Sequence, residues 1–218
     1  MDGARARFST PEPTDRAGFI VLRPGQRSYR VVKQSVESIV AALALAVLSP
    51  VIALIALAIP LDSPGAPVFR QIRVGRSGHP FAMYKFRTMR LGTPEMSKEA
   101  LLQSGGMGAV TRVGWFLRRT NLDELPQLAN IVLGQMSLVG PRPALPSQHN
   151  LNALRRAAGI DQVLPGITGF AQVSVQDDIV TSDKVAKDAH YVRHFSPWLD
   201  LKILALSARA LITAKRAY

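Results

Sequence analysis

Asp123 and Glu124 stand side by side in the stretch LRRTNLDELPQLANIVLGQMSLVGPRP, Leu117 to Pro143, and are the only acidic residues between Ala100 and Ile160. Arg112, Arg118, Arg119, Arg142, Arg155 and Arg156 surround them in sequence. A solvated surface usually intermixes its signs. An acidic pair isolated among arginines suits a site that holds a polyanion and attacks it with a carboxylate. A carboxylate can attack phosphorus and form an acyl phosphate. The repulsion between two anions must then be offset by arginines that clamp phosphate oxygens bidentately and by a magnesium ion. Magnesium takes oxygen ligands, often one or two carboxylates plus substrate phosphates. Asp123 and Glu124 are therefore both the candidate catalytic residues and the candidate metal ligands, with Glu124 able to serve as ligand or general base. Arg118, Arg119 and Arg142 are candidate phosphate clamps, Arg112 belongs to the same basic ring, and Gly140–Pro143 is either a rigid mount for Arg142 or a simple proline-rich connector.

The elements that must position these groups follow from the punctuation of the chain. Pro126 is tolerated only in a first helical turn. The expected N-cap is Asp123, with a helix running to Gly134 as its stop. Asp123 is thus a good cap by type as well as a candidate nucleophile, and both readings stay open. Upstream, Val68–Val74 and Phe81–Phe86 alternate around Gly75–Gly78 and predict a β-hairpin. Lys85-Phe86-Arg87-Thr88 ends the hairpin with two cations beside a hydroxyl. That is either a phosphate-facing patch or a solvated strand face. Short helices are expected over Thr93–Gln103 and Thr111–Arg119, with a glycine loop, Ser104–Gly108, between them. A further helix is expected over Val180–His194.

Other chemistries are poorly served. The chain has 218 residues and no cysteine, which excludes disulfides and thiol chemistry. It lacks a phosphate-binding loop of the Gly-x-x-x-x-Gly-Lys-Ser/Thr type, and no glutamate follows His190 to make a zinc-protease pair with His194. The net charge is +12, with a pI near 10.9. That excess suits a polyanionic partner, while an aromatic content of 6% is low for a single-strand nucleic-acid binder.

Ser38 to Leu61 carries no charge and exceeds the roughly 20 apolar residues that cross a bilayer as a helix. Both flanks are basic, with Arg23, Arg27, Arg30 and Lys33 before and Arg70, Arg73 and Arg76 after. The positive-inside rule therefore selects neither orientation, and entry and exit by one leaflet would satisfy both flanks. Ser49-Pro50 near the centre predicts a bend, with the serine hydroxyl able to satisfy a carbonyl that the proline frees. The expected organisation is a disordered N-terminal arm over residues 1–27, a re-entrant helix–break–helix over residues 28–62, and a small globular domain over residues 63–218, mainly α with the one hairpin. After Pro197, Leu199, Ile203, Leu206 and Ala210 recur at helical spacing opposite Lys202, Arg209 and Arg216. That pattern suits an interfacial helix on anionic lipid and equally one packed on the core.

Taken in order, these residues resemble the bacterial sugar transferases, the monotopic polyprenyl-phosphate sugar-1-phosphate transferases that initiate surface glycan assembly. The resemblance covers roughly Ser28 to Thr213. It rests on Ser49-Pro50, Pro67-Val68-Phe69 with Gln71, Arg73 and Gly75, Lys85–Met89, Thr111-Arg112-x-Gly114 and Leu117-Arg118-Arg119. It continues through Leu122–Leu128, Met136–Pro143 and Pro165–Gly169. It implies a membrane helix bent at Ser49-Pro50 with the domain on the cytoplasmic face of the bacterial inner membrane, and a magnesium-dependent reaction in two steps. Asp123 attacks the β-phosphate of a UDP-sugar and releases UMP. Undecaprenyl phosphate then takes the sugar phosphate from Asp123, the first membrane step of exopolysaccharide, O-antigen or glycoprotein glycan assembly. Glu124 would bind magnesium or assist as a base, Arg118 would hold a phosphate, and Lys85, Arg87 and Arg142 would contact phosphate or nucleotide. No nucleic acid is expected, a homodimer is allowed, and the chain looks like the minimal form of the family.

The sequence departs from the family at Gln135, where an acidic residue is usual, and at Ser174-Val175-Gln176; Asp188 and Tyr191 match a family element without an assigned role. Two other classes of function remain to be distinguished: a membrane-anchored basic module for nucleic acid or acidic lipid, and a metal-dependent phosphodiesterase with water as acceptor. A pure polyanion binder has no use for carboxylates inside its basic patch, and the long apolar run favours a lipid acceptor over water.

Overall fold

A computed structural model describes residues 19–93, 109–174 and 181–213. The helix and glycine loop expected between Thr93 and Gly108 lie almost wholly outside the described residues, as do residues 1–18 of the arm.

The dominant element is α1, Pro24–Asp62, a helix of 39 residues, about 58 Å long at 1.5 Å per residue. Its helical run is continuous through Ser49-Pro50, so helical hydrogen bonding is kept at the position where the bend was expected. The reason is local. Pro50 lacks the N–H that would have reached the carbonyl of Ala46, and the Ser49 hydroxyl donates to that oxygen instead, at 2.8 Å. The arm also ends earlier than expected. Ile20 and Leu22 are each only 3% exposed, and the Ile20 N–H donates to the Ala158 carbonyl at 3.1 Å, because the two apolar side chains find places in the core.

One face of α1 lies on the globular domain along its whole length. Ala41, Ala44, Leu45 and Leu48 pack with Phe81, Met83, Leu128, Ile131 and Met136. Ile52, Ile55, Ala56 and Ile59 pack with Phe86, Leu117, Leu122 and Leu125. The opposite face presents Val36, Val40, Leu43, Val47, Val51, Leu54, Leu57 and Leu61, all exposed. Their spacing of three and four residues makes a continuous apolar stripe.

Both ends of α1 are tied to the same domain. Near the start, Lys33 Nζ lies 2.6 Å from Asp200 Oδ2, Tyr29 donates to the same oxygen at 2.7 Å, and Ser137 donates to Glu37 at 2.6 Å. At the far end the buried Arg87 guanidinium donates to the carbonyls of Ser63, Pro64 and Gly65. Asp62 accepts from the Val113 N–H at 2.8 Å.

The expected hairpin is present as β1, Val68–Val74, and β2, Pro80–Phe86, antiparallel with Val68 opposite Phe86 and Val74 opposite Pro80. The helix expected after Thr111 is α2, Arg112–Thr120, and a short α3 spans Gln127–Val132. A second small sheet went unforeseen. It pairs β3, Ser137–Val139, in parallel with β4, Gly166–Thr168, and the crossover carries α4, His149–Ala157. The strands come close because Gly140 and Gly166 meet; a Cβ on Gly166 would stand 2.1 Å from the Gly140 nitrogen. Phe170–Val173 forms α5, Thr181–His194 forms α6, and Pro197–Thr213 forms α7. On α7, Ile203 is fully buried with Leu199 packed on the same cluster, while Trp198 and Leu201 are exposed. The first half of the predicted stripe, Leu199 and Ile203, therefore faces the domain, while Ala210 at its end is exposed and another apolar edge faces outward.

Candidate active site

The acidic pair is placed by a tight reversal. Thr111 caps α2 by accepting from the Gly114 N–H at 2.9 Å. Gly114 is required there, since a Cβ would stand 2.1 Å from the Thr88 carbonyl oxygen. α2 ends at Asn121, whose φ of 54° lies in the left-handed region, and the chain re-enters a 3-10 turn, Leu122–Glu124. This corrects the expected helix start. α3 begins at Gln127, and Asp123 sits before it, in the 3-10 turn. Pro126 has no N–H to give, and the preceding amides bond three residues back, Glu124 to Asn121 and Leu125 to Leu122, both at 3.2 Å. Gly134, with φ 70°, ends the helical segment as expected.

Freed from capping, the Asp123 carboxylate has no hydrogen-bond donor among the described residues. Glu124 is held firmly. Its Oε1 accepts from Lys85 Nζ at 2.6 Å and from Arg142 Nη2 at 3.4 Å. The environments separate the two acids. Burial pushes Asp123 up to about 6, the charge of Glu124 adding to the shift against the pull of Lys85, Arg118 and Arg142. Burial would raise Glu124 too, but Arg142 and Lys85 outweigh it and draw that carboxyl down to about 2. Two neighbouring acids with separated pKa values mark different roles. Glu124 is a fixed anion, and Asp123 is a partly buried carboxylate with little to quench its lone pairs, ionised at neutral pH.

Lys85 arrives through β2. The buried side chain of Asn130, on α3, accepts from the Tyr84 N–H at 3.0 Å and donates to the Ala82 carbonyl at 2.7 Å. It acts as a strand partner and fixes β2 to the helix that follows the acidic pair. Gln135, the departure noted in the sequence, accepts from the same Asn130 amide at 2.7 Å. Arg118 Nε donates to Thr88 Oγ1 at 2.8 Å, which aims the guanidinium from the last turn of α2. Arg155 donates to the Arg142 carbonyl at 2.7 Å and is itself oriented by Asp188, at 3.0 Å from Nε.

The structure thus brings together Asp123, Glu124, Lys85, Arg118 and Arg142. It does not bring Arg87 or Arg112 to them. The donors of Arg87 are spent on the carbonyls after α1, because that helix end leaves carbonyls that need partners. Arg112 is exposed beside Asp62. Arg119 lies over the Trp115 ring at 5.2 Å. His190 stacks on Phe170 and His194, with ring centroids 5.0 and 4.5 Å apart. Sequence reasoning missed Asn130, and named Arg155 only as one of the surrounding arginines; the visible signal for Asn130 was a polar residue where helical spacing called for core.

Among the described residues no group of three or more His, Cys, Asp or Glu could hold a metal alone. The oxygens of Asp123 and the second oxygen of Glu124 still suit a hard divalent ion that completes its shell with substrate phosphates and water.

The sequence pattern of the family described as bacterial sugar transferase matches residues 28–214. A UDP-glucose:undecaprenyl-phosphate glucose-1-phosphate transferase of Caulobacter vibrioides is 39% identical over 211 residues, covering 92% of this chain and 78% of that protein. The Escherichia coli protein of the same description is 40% identical over 197 residues, covering 87% of this chain and 42% of its own length. A UDP-galactose-lipid carrier transferase of Erwinia amylovora is 34% identical over 210 residues, 88% of this chain and 43% of that protein. The chain thus spans less than half the length of several relatives it matches.

Proposed function

The chain belongs to the bacterial sugar transferase family, and on that premise we propose that it transfers a sugar 1-phosphate from a UDP-sugar to undecaprenyl phosphate and releases UMP. The observation that carries this reading is the partnerless, half-buried Asp123 carboxylate set among Lys85, Arg118 and Arg142. A carboxylate oxygen of Asp123 attacks the β-phosphorus, the bond to the α-phosphate oxygen breaks, and UMP departs. A phosphate oxygen of undecaprenyl phosphate then attacks the same phosphorus. The acyl-phosphate bond breaks, Asp123 returns as a carboxylate, and the product is the lipid-linked diphosphate sugar. Arg118 and Arg142 hold phosphate oxygens, and Lys85 with Glu124 keeps the site's field fixed. A magnesium ion held by Asp123 and Glu124 would neutralise phosphate charge. The descriptions of the relatives name glucose and galactose, so a UDP-hexose is the donor to test first.

The helix α1 brings the reaction to its lipid. We propose that it enters and leaves by one leaflet, with its outer apolar stripe in the lipid and the domain on the cytoplasmic face. Anchorage of both helix ends on one domain supports this path, since a spanning helix would carry its ends to opposite sides of a core about 30 Å thick. The exposed Trp198 and Leu201 of α7 would join that surface.

The test is UMP release from a panel of UDP-sugars with magnesium and undecaprenyl phosphate, repeated with Asp123→Asn. No UMP from any sugar, or full turnover in the variant, contradicts the mechanism. Labels at the two chain ends should both be reachable from the cytoplasm; labelling from opposite sides contradicts the path of α1.

A further inference from the structure

Gln127 opens α3 and is only 2% exposed, and its amide nitrogen Nε2 is buried without an acceptor among the described residues. Its neighbour Asn130 shows what a structural amide does in this helix, bonding Tyr84, Ala82 and Gln135. An orphaned buried donor costs about 1–3 kcal/mol, and most buried side-chain polar atoms have a partner. A donor left open here points to an acceptor that arrives with the substrate. The other orphan of this kind, Arg87 Nε, belongs to a guanidinium already committed to three carbonyls.

Position names the acceptor. Gln127 follows Asp123 by four residues, and the intervening Leu125 and Pro126 keep right-handed helical angles, φ −52° and −62°. Asp123 lies in the 3-10 turn and not in α3, so what relates the two is that a side chain in the first turn of a helix leans over the turn that precedes it. That preceding turn holds Asp123. No hydrogen bond joins the two side chains among the described residues.

We propose that Gln127 is a further catalytic residue, whose Nε2 donates to a non-bridging oxygen of the phosphoryl group transferred at Asp123. The proposal rests on the transfer reaction above. A neutral donor suits the place. It meets charge that develops on the phosphoryl oxygens without pairing with the Asp123 carboxylate and dulling it as a nucleophile, as another cation would.

The test uses the full chain in detergent or nanodiscs. Gln127→Met keeps the length and volume of the side chain and removes the donor. Gln127→Glu keeps the shape and replaces the donor with an anion. For Gln127→Met, kcat for UMP release falls roughly 100-fold, the loss typical of one transition-state donor. KM for the UDP-sugar changes little, and Tm is equal to or above that of the wild type. Gln127→Glu loses at least as much turnover. A Met variant with wild-type kcat overturns the assignment. So does a Met variant whose Tm falls by several degrees, because the amide then has a partner in the protein. A wild type that releases no UMP sinks the reaction and the assignment together, whereas an active wild type matched by Gln127→Met sinks the assignment alone.

Discussion

Among the described residues, two of the clusters that pair carboxylates with cations are completed to different degrees. In the tether between α1 and α7, Asp200 accepts from Tyr191 on one oxygen, and from Tyr29 and Lys33 on the other, at 2.6–2.7 Å. Glu37 accepts from Ser137 and lies 3.4 Å from Lys33. In the cluster beside α3, Glu124 is equally well held, but among the described residues Asp123 next to it has no donor and the Gln127 amide has no acceptor. Buried polar groups are normally satisfied within the fold. The complete cluster fixes the helix to the domain. The incomplete one is shaped for a molecule that brings its own charges and acceptors.

The contrast can be broken from either side. The largest effect is expected from Asp123→Asn, with turnover reduced on the order of 10,000-fold or more, as when a nucleophile is lost. The same variant should be more stable than the wild type. The folded pKa of Asp123 is raised to about 6, so its ionised form weakens the fold above that pH. The variant's advantage grows as pH rises from about 4 to 6 and is then constant, on the order of 1–2 kcal/mol after allowance for solvent screening. Thermal melts at pH 4.5 and 7.5 measure it. Asp200→Asn should do the opposite. It removes the closer of the two anions beside the buried Lys33, leaving Glu37 at 3.4 Å, and costs about 1–3 kcal/mol in chemical denaturation, while folded molecules keep their kcat. An Asp200 variant that stays stable but loses turnover would show that the tether takes part in chemistry.

Arg87→Ala probes the other end of α1. It strands three carbonyls and should cost about 2–4 kcal/mol, with kcat near wild type when assayed below its melting transition. A selective rise in KM for the UDP-sugar would instead restore Arg87 to the phosphate patch read from sequence. In the wild type, kcat/KM should fall tenfold per pH unit below about 6, because protonation removes the Asp123 nucleophile. The smallest effect belongs to Arg112→Ala, an exposed side chain away from the pair, with turnover expected within about twofold and stability within about 0.5 kcal/mol.

Much of this was readable in the chain. The hairpin announced itself by alternation around Gly75–Gly78, and the observed strands match it within a residue. The acidic pair stood out because no other carboxylate lies near it in sequence. What stayed hidden depended on partners far along the chain. Lys85 and Arg87 are two residues apart in one motif and looked alike. On a strand, residues i and i+2 share a face, yet the strand ends at Phe86, and Arg87 turns to the carbonyls after α1. The continuity of α1 through Pro50 rested on a single serine hydroxyl. The start of α3 depended on the left-handed Asn121, which no local pattern marked. The β3–β4 pair joins two three-residue strands separated by the whole of α4, too short for any periodicity to register.

The account stands or falls on the Asp123 carboxylate as the atom that carries the sugar phosphate. The direct measurement is the intact mass of the protein after brief incubation with magnesium and the UDP-hexose that supports turnover, with undecaprenyl phosphate withheld. The predicted result is a mass increase equal to one hexose phosphate, mapped to the peptide containing Asp123, absent from Asp123→Asn and discharged when the lipid phosphate is added. Stoichiometric UMP release with no adduct on the wild type, or an adduct that persists in Asp123→Asn, would contradict it.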